Sequence, residues 1–315
     1  MKPVIPFVPE ADSVERETWE EELRKNLASF AEVKPFDQLT DDERVAAKVA
    51  IVANPNPADV AALPNLVWVQ SLWAGVERLT AELPEDGPLI VRLQDPQMAD
   101  TMSEAVLAWT LYLHRDMPRY RLQQREKVWR ELLLKTPQER TVGVLGLGKL
   151  GSASAQRLKA NGFRVIGWSR SEKHLDGVEC FHGSDGLTNL LGQTDILVLL
   201  VPLTAETRGM IGEKAVGDLK KGAALINFAR GPVLDIDALL SGLDNGHLSH
   251  AVLDVFDKEP LDAASPLWQH DKVTVLPHIS APTITGTATN IVARNIGDYL
   301  KNGQIPQHVD RKRGY

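Results

Sequence analysis

The sequence is short of the features that would take it out of the ordinary globular class. It has a single cysteine, Cys180, so no internal disulfide can form, and beside Val178 and Phe181 it is expected to be a small packing residue rather than a reactive thiol. Long apolar runs are missing: the best, 105–113 and 196–203, fall well short of the roughly 20 residues that a membrane-spanning helix needs. The first residues carry no basic segment followed by a sustained apolar one, and acid arrives by Glu10, so no secretory signal is expected and the cytoplasm is the default compartment. Positive charge is not in excess either. Lys plus Arg (35) against Asp plus Glu (42) leaves −7, which excludes a polyanion held by bulk electrostatics. No nucleic-acid partner is expected, and the basic end Arg311-Lys312-Arg313 reads as a solvated tail. Internal repeats, low-complexity segments and a metal-ligand set are also lacking.

What is present is an ordinary mixture, 43% apolar and 24% charged, over 315 residues, so one large and one small domain are expected. From Thr141 onward, short apolar runs alternate with amphipathic stretches, the pattern of a parallel sheet with crossover helices. Strands are predicted at 142–145, 164–168, 179–182, 195–200, 224–228, 251–254 and 273–276, and helices at 150–160, 213–219 and 236–243. Before them, strands at 5–7, 49–52 and 66–70 and a helix at 14–28 make a second α/β unit. A long helix is predicted over 99–127, packing between domains or subunits, and another over 285–301.

The run Gly146-Leu147-Gly148-Lys149-Leu150-Gly151 directly follows a predicted strand and opens a predicted helix. In that setting Gly146 permits the tight turn, Gly148 lets a pyrophosphate approach the backbone, and Gly151 lets helix and strand pack closely. The helix N-terminus adds free N–H groups and a positive dipole end. The site is that of a dinucleotide. About twenty residues further on, an NAD site would carry an acid for the ribose 2′-hydroxyl. Here Ser169-Arg170-Ser171 stands at the strand tip, without a carboxylate and with a guanidinium suited to a 2′-phosphate, which favours NADP (NADPH); the same residues would also make a plain polar turn.

Three residues downstream fit the reduction of a small 2-keto acid by such a coenzyme. Arg230, just past the run Leu225 to Ala229, offers a planar fork for a carboxylate and a keto oxygen. His278, in Leu276-Pro277-His278, is the side chain suited to proton donation near neutrality, and Glu259 could hold the imidazole upright and favour its charged form. Singly, each would read as surface or packing. All three lie downstream of the glycine loop at successive predicted strand ends, where open α/β sheets bind ligands.

Together these residues resemble the D-specific 2-hydroxyacid dehydrogenases, and within them the glyoxylate/hydroxypyruvate reductase A group. The resemblance spans the chain. It is carried by the glycine loop, Val201-Pro202-Leu203-Thr204 with Thr207, Asn227-Phe228-Ala229-Arg230-Gly231, Leu253-Asp254-Val255-Phe256 with Glu259-Pro260, Leu276-Pro277-His278, and the terminal Val309-Asp310-Arg311 with Arg313-Gly314-Tyr315. It implies a Rossmann doubly wound parallel sheet over residues 98–284 and a smaller flavodoxin-like α/β substrate domain from 1–97 and 285–315. It implies that Arg230 binds substrate, Glu259 supports and His278 donates the proton. Gly146, Gly148, Lys149, Leu150, Gly151, Ser169, Arg170, Ser171, Pro202, Thr207, Ala229, Asp254 and His278 are then coenzyme contacts, with Asp254 near the nicotinamide amide. Backbone N–H groups of Trp73-Ala74-Gly75 would meet the substrate carboxylate beside Arg230 and His278, and the protein would be a homodimer. Trp73 stands where a small residue is expected and Ala53 where a bulky aromatic is expected, which leaves the size of the keto acid open.

Two other readings stay open. The same fold resembles transcriptional corepressors that bind the dinucleotide as a signal, although no DNA- or peptide-binding feature is visible. A phosphoglycerate-type enzyme would commonly add a regulatory domain, which is not expected after Tyr315, and a formate-type enzyme needs no proton donor such as His278.

Overall fold

The computed structural model describes residues 2–10 and 15–311; Val14 of the predicted first helix, and Lys312, Arg313, Gly314 and Tyr315 of the terminal motif, lie outside the described residues. The chain divides into two compact units, Met1–Gln97 with Thr283–Tyr315, and Met98–Pro282.

The first unit runs β1 (Val4–Pro9), α1 (Arg16–Leu27), β2 (Glu32–Pro35), α2 (Asp41–Ala46), β3 (Val49–Ala53), α3 (Pro57–Ala61), β4 (Trp68–Ser71), α4 (Glu77–Glu82) and β5 (Leu89–Val91). Its five strands lie in the order β2-β1-β3-β4-β5, all parallel, which is the flavodoxin-like order. The edge strands β2 and β5 were not predicted: four and three residues are too few to show a period. In α1, Trp19, Leu23 and Leu27 repeat at the helical spacing and are buried. They share a core with Ala288, Val292 and Ile296, spaced the same way on the late helix Thr285–Asn302, and with Ile5, Phe7 and Trp68 of the sheet. The fully buried Gln70 on β4 accepts a hydrogen bond from Asn295 Nδ2 at 2.9 Å, tying that helix to the sheet.

The second unit begins with α5 (Pro96–His114), whose first residues precede the division, and α6 (Met117–Glu126). It continues β6 (Thr141–Leu145), α7 (Lys149–Ala160), β7 (Arg164–Ser169), β8 (Glu179–His182), α8 (Gly183–Leu191), β9 (Ile196–Leu199), α9 (Glu213–Asp218), β10 (Ala223–Asn227), α10 (Ile236–Asp244), β11 (Leu248–Leu253) and β12 (Val273–Val275). The seven strands lie in the order β12-β11-β10-β9-β6-β7-β8, all parallel. This is the doubly wound Rossmann order with one added edge strand, and the order reverses between β6 and β9. Alternate residues serve opposite faces, and both faces are buried. Leu145, Leu197, Leu199, Leu225 and Leu253 enter one core, and Val142, Val144, Val198, Ile226 and Val252 the other.

The helix predicted over 99–127 is two helices, separated where Asp116 takes a left-handed conformation (φ 55°) and Pro118 starts the second. Met102, Val106 and Leu113 of α5 pack on the sheet of their own unit. Beyond α6, Trp129 is fully exposed (100%) and Leu133 nearly so (89%). Helix α8 was not predicted, because its opening Gly183-Ser184-Asp185-Gly186 has the composition of a turn. Among the described residues, no helix is long and apolar enough to cross a membrane.

Candidate active site

Register decides which residues share an edge of the large sheet. Trp168 pairs with Leu145, Leu145 with Leu199, Leu199 with Asn227, Asn227 with Leu253 and Leu253 with Val275. The loops carrying Gly146, Arg170, Pro202, Arg230, Asp254 and His278 therefore all leave from the carboxyl edge, the glycine loop at the switch point.

The glycine loop is tight. Gly146 has φ +104°, and a Cβ on Gly151 would lie 1.8 Å from the Gly146 carbonyl oxygen, so any larger residue at Gly151 would push the helix off the turn. Leu150 packs its side chain toward the core. A Cβ on Gly148 would meet nothing within 4 Å, and no side chain caps α7. Open space in front of a helix N-terminus is what a pyrophosphate requires, so the residues present fit a dinucleotide.

At the end of β7, Ser169 is buried and its hydroxyl donates to the Ser171 carbonyl oxygen at 2.7 Å, so it shapes the turn from within. Arg170 Nη1 lies 3.2 Å from Glu206 Oε2. Sequence reasoning found no carboxylate at this strand tip; the fold brings one from the loop after β9. It missed Lys173 as well, whose Nζ donates to the Leu147 carbonyl oxygen of the glycine loop at 3.1 Å. In the loop after β9, Thr207 Oγ1 donates to the Pro202 carbonyl oxygen at 2.6 Å and accepts from Thr204 N–H at 2.8 Å. Pro202 itself is exposed.

After β10, the buried Asn227 sets the exit. Its Oδ1 accepts from Ala229 N–H at 3.1 Å and its Nδ2 donates to the Arg230 carbonyl oxygen at 3.2 Å. Arg230 Nη1 donates to the Ala229 carbonyl oxygen at 2.7 Å. A Cβ on Gly231 would lie 2.1 Å from the Phe256 carbonyl carbon, so only glycine lets this loop lie against the loop after β11. In that second loop, Glu259 uses both oxygens: Oε1 accepts from Phe256 N–H at 2.9 Å, and Oε2 lies 2.7 Å from His278 Nδ1. A carboxylate only accepts, so Nδ1 carries the hydrogen and Nε2 is the ring nitrogen left for other chemistry.

His278 adopts φ +54°, a left-handed conformation uncommon outside glycine. The next two residues are clamped: Asp254, 2% exposed, accepts from Ile279 N–H at 2.8 Å and from Ser280 N–H at 2.9 Å. The imidazole is aimed by a buried carboxylate at the end of the preceding strand.

The remaining expected residues lie in the other unit. Trp73-Ala74-Gly75 form the turn between β4 and α4. The Trp73 N–H donates to Ser71 Oγ at 3.0 Å, and the Trp73 indole packs edge-on against Trp19, with ring centres 5.6 Å apart, on the core of its unit. Ala53 is buried at the end of β3. Among the described residues, no group of three or more His, Cys, Asp or Glu side chains could hold a metal ion.

Comparison with known proteins gives this edge a family. Residues 107–280 match the sequence model described as D-isomer specific 2-hydroxyacid dehydrogenase, NAD binding domain. The chain is similar over its whole length to a crystal structure of a D-isomer specific 2-hydroxyacid dehydrogenase from Xanthobacter autotrophicus Py2 in complex with NADPH and MES, with 38% identity, all of both chains covered and a TM-score of 0.90. It is similar to an NADPH-dependent glyoxylate/hydroxypyruvate reductase from Sinorhizobium meliloti in complex with NADP and sulfate, at 32% identity over 99% of this chain and 100% of that one, TM-score 0.87. A probable 2-hydroxyacid dehydrogenase from Rhizobium etli CFN 42, in complex with NADP, HEPES and L(+)-tartaric acid, shares 31% identity over all of both chains, TM-score 0.88. With a Rossmann unit, its glycine loop and full-length likeness at this level, the chain belongs to the D-isomer specific 2-hydroxyacid dehydrogenase family.

Proposed function

We propose that this protein reduces small 2-keto acids, glyoxylate and hydroxypyruvate among them, to D-2-hydroxy acids, with NADPH as coenzyme. The observation that carries the reading is the Glu259–His278 pair on the same sheet edge as Arg230 and the glycine loop. When bound, the coenzyme supplies a hydride to the keto carbon. Arg230 holds the substrate carboxylate and keto oxygen with its fork, which fixes the carbonyl face and draws electron density toward oxygen. His278, protonated and hydrogen-bonded through Nδ1 to Glu259, gives a proton from Nε2 to the developing alkoxide. Glu259 orients the ring through the 2.7 Å contact with Nδ1.

The unit Met98–Pro282 is assigned the coenzyme, through the glycine loop and Ser169-Arg170-Ser171. NADP-bound relatives at 31% and 32% identity support the coenzyme, and the name of the Sinorhizobium meliloti reductase supports the substrate class.

The test is steady-state turnover of a panel of keto acids with NADPH and with NADH, with the chirality of the product determined. Turnover of glyoxylate and hydroxypyruvate with NADPH is expected. A protein that binds NADPH and turns over none of the panel would instead be the dinucleotide sensor. A homodimer belongs to the same proposal, since apolar side chains as exposed as Trp129 and Leu133 are the kind that subunit contacts cover. Sedimentation should show a dimer that Trp129→Asp weakens; a monomeric wild type would overturn this part.

A further inference from the structure

The Arg170–Glu206 pair joins two loops that leave the sheet on either side of the glycine loop. Arg170 follows β7, Glu206 follows β9, and β6, which ends in Gly146, lies between those strands. Both residues therefore leave strands that flank the one carrying the glycine loop. The backbone that presents Glu206 is fixed: Thr207 bridges Pro202 and Thr204, and the Thr204 carbonyl oxygen accepts from Arg208 N–H at 3.0 Å. The two side chains are open to solvent, 50% and 68% exposed. An incoming anion therefore finds the guanidinium already paired with a carboxylate whose backbone cannot swing far.

We infer that Glu206 sets coenzyme discrimination. Its carboxylate competes with the 2′-phosphate of NADPH for Arg170, and it offers the free ribose 2′-hydroxyl of NADH the acceptor that the strand tip lacks. The inference rests on the proposed role of Arg170. A phosphate monoester carries close to two charges and three strong acceptor oxygens at neutral pH, against one charge on Glu206, so the phosphate wins the guanidinium. It wins against a standing partner and then sits near a displaced like charge. The preference for NADPH is thus held below what Arg170 alone would give, and NADH is retained as a usable coenzyme.

The test measures dissociation constants of NADPH and NADH by titration calorimetry at low ionic strength, where an exposed pair is least screened. The proteins are wild type, Glu206→Gln, Arg170→Ala and the double variant. Glu206→Gln should tighten NADPH by about two- to fivefold, the scale of an exposed ion pair, and weaken NADH, whose 2′-hydroxyl keeps only a neutral acceptor. Arg170→Ala should weaken NADPH by roughly tenfold to a hundredfold and NADH far less. In the double variant the gain from Glu206→Gln should shrink, since no guanidinium is left to release and only the like-charge repulsion is relieved. If Arg170→Ala lowers the preference for NADPH but Glu206→Gln does not raise it, the role of Glu206 is overturned and that of Arg170 stands. If Arg170→Ala leaves the preference unchanged, both are overturned.

Discussion

At the ends of β11 and β12, charge is held by backbone: Asp254 is buried with both oxygens on consecutive amides, and Glu259 has one oxygen on Phe256 N–H and the other on His278. At the end of β7, Arg170 and Glu206 meet as side chains in solvent. One region fixes an angle, and the other weighs charges. Proton and hydride transfer depend on placement to a fraction of an ångström, so rigidity is worth the cost of burying a carboxylate. Telling a phosphate from a hydroxyl depends on net charge, which an adjustable surface pair reports well enough.

The first way to break this contrast is Arg230→Ala. If the fork anchors substrate by two charge-assisted bonds, kcat/KM for glyoxylate should fall by roughly a hundredfold or more, with NADPH affinity nearly unchanged. Keto-acid kinetics close to wild type would remove Arg230 from the site. Asp254→Asn comes next. An amide keeps the size of the carboxylate but sets an NH2 against one of the two N–H donors at Ile279 and Ser280, so the left-handed turn at His278 loses half its clamp. We expect kcat to fall about tenfold to a hundredfold while KM moves little, because placement of the proton donor is what suffers. An unchanged kcat in a folded variant would show that the turn holds without the clamp. Glu206→Gln, with its two- to fivefold effect, ranks below these, since an exposed pair is worth less than a buried one.

The smallest effect on activity is expected at His250, which lies on β11, upstream of Asp254. Burial pushes its imidazole down to about 4, helped by the charges of His270 and Arg121, and its Nε2 lies 2.9 Å from Thr274 Oγ1. Above its unfolded value near 6.5 both states are neutral and stability does not depend on it. Between about 6.5 and 4 the unfolded chain takes up a proton that the folded one refuses, so stability falls with pH by up to about 3 kcal/mol and then levels off. Urea midpoints from pH 7 to 4 should drop less steeply in His250→Gln, with kcat at pH 7 unaltered. An identical pH slope would show that the ring does not titrate this way.

The parts of the candidate site that were legible are local ones. The glycine loop declared itself by strand, turn and helix in one short run, and Arg230, Glu259 and His278 by position just past apolar runs. Their supports were less visible. Asp254 reads as an isolated acid after a strand, and its grip on Ile279 and Ser280 exists only because β11 and β12 are neighbours. Glu206 was out of reach for the same reason: it is 36 residues from Arg170, and the pairing follows from β7 and β9 flanking β6. In the fold, long buried strands were readable and short edge strands were not. The break at Asp116 was signalled by Pro118, which a stretch rich in Leu, Ala and Tyr outweighed.

The seam between Trp19, Leu23 and Leu27 and the late residues Ala288, Val292 and Ile296 also bears on how the chain is made. On a ribosome residues 1–97 emerge with one side of their core uncovered, and the helix that covers it is made only after the whole intervening unit. The intervening unit, contiguous from Met98 to Pro282, has all its strands in hand before then. The first sheet therefore closes only once that helix has been released, and a nascent chain stalled before Thr285 would keep a Rossmann unit while its apolar first sheet stays open to chaperones and proteases.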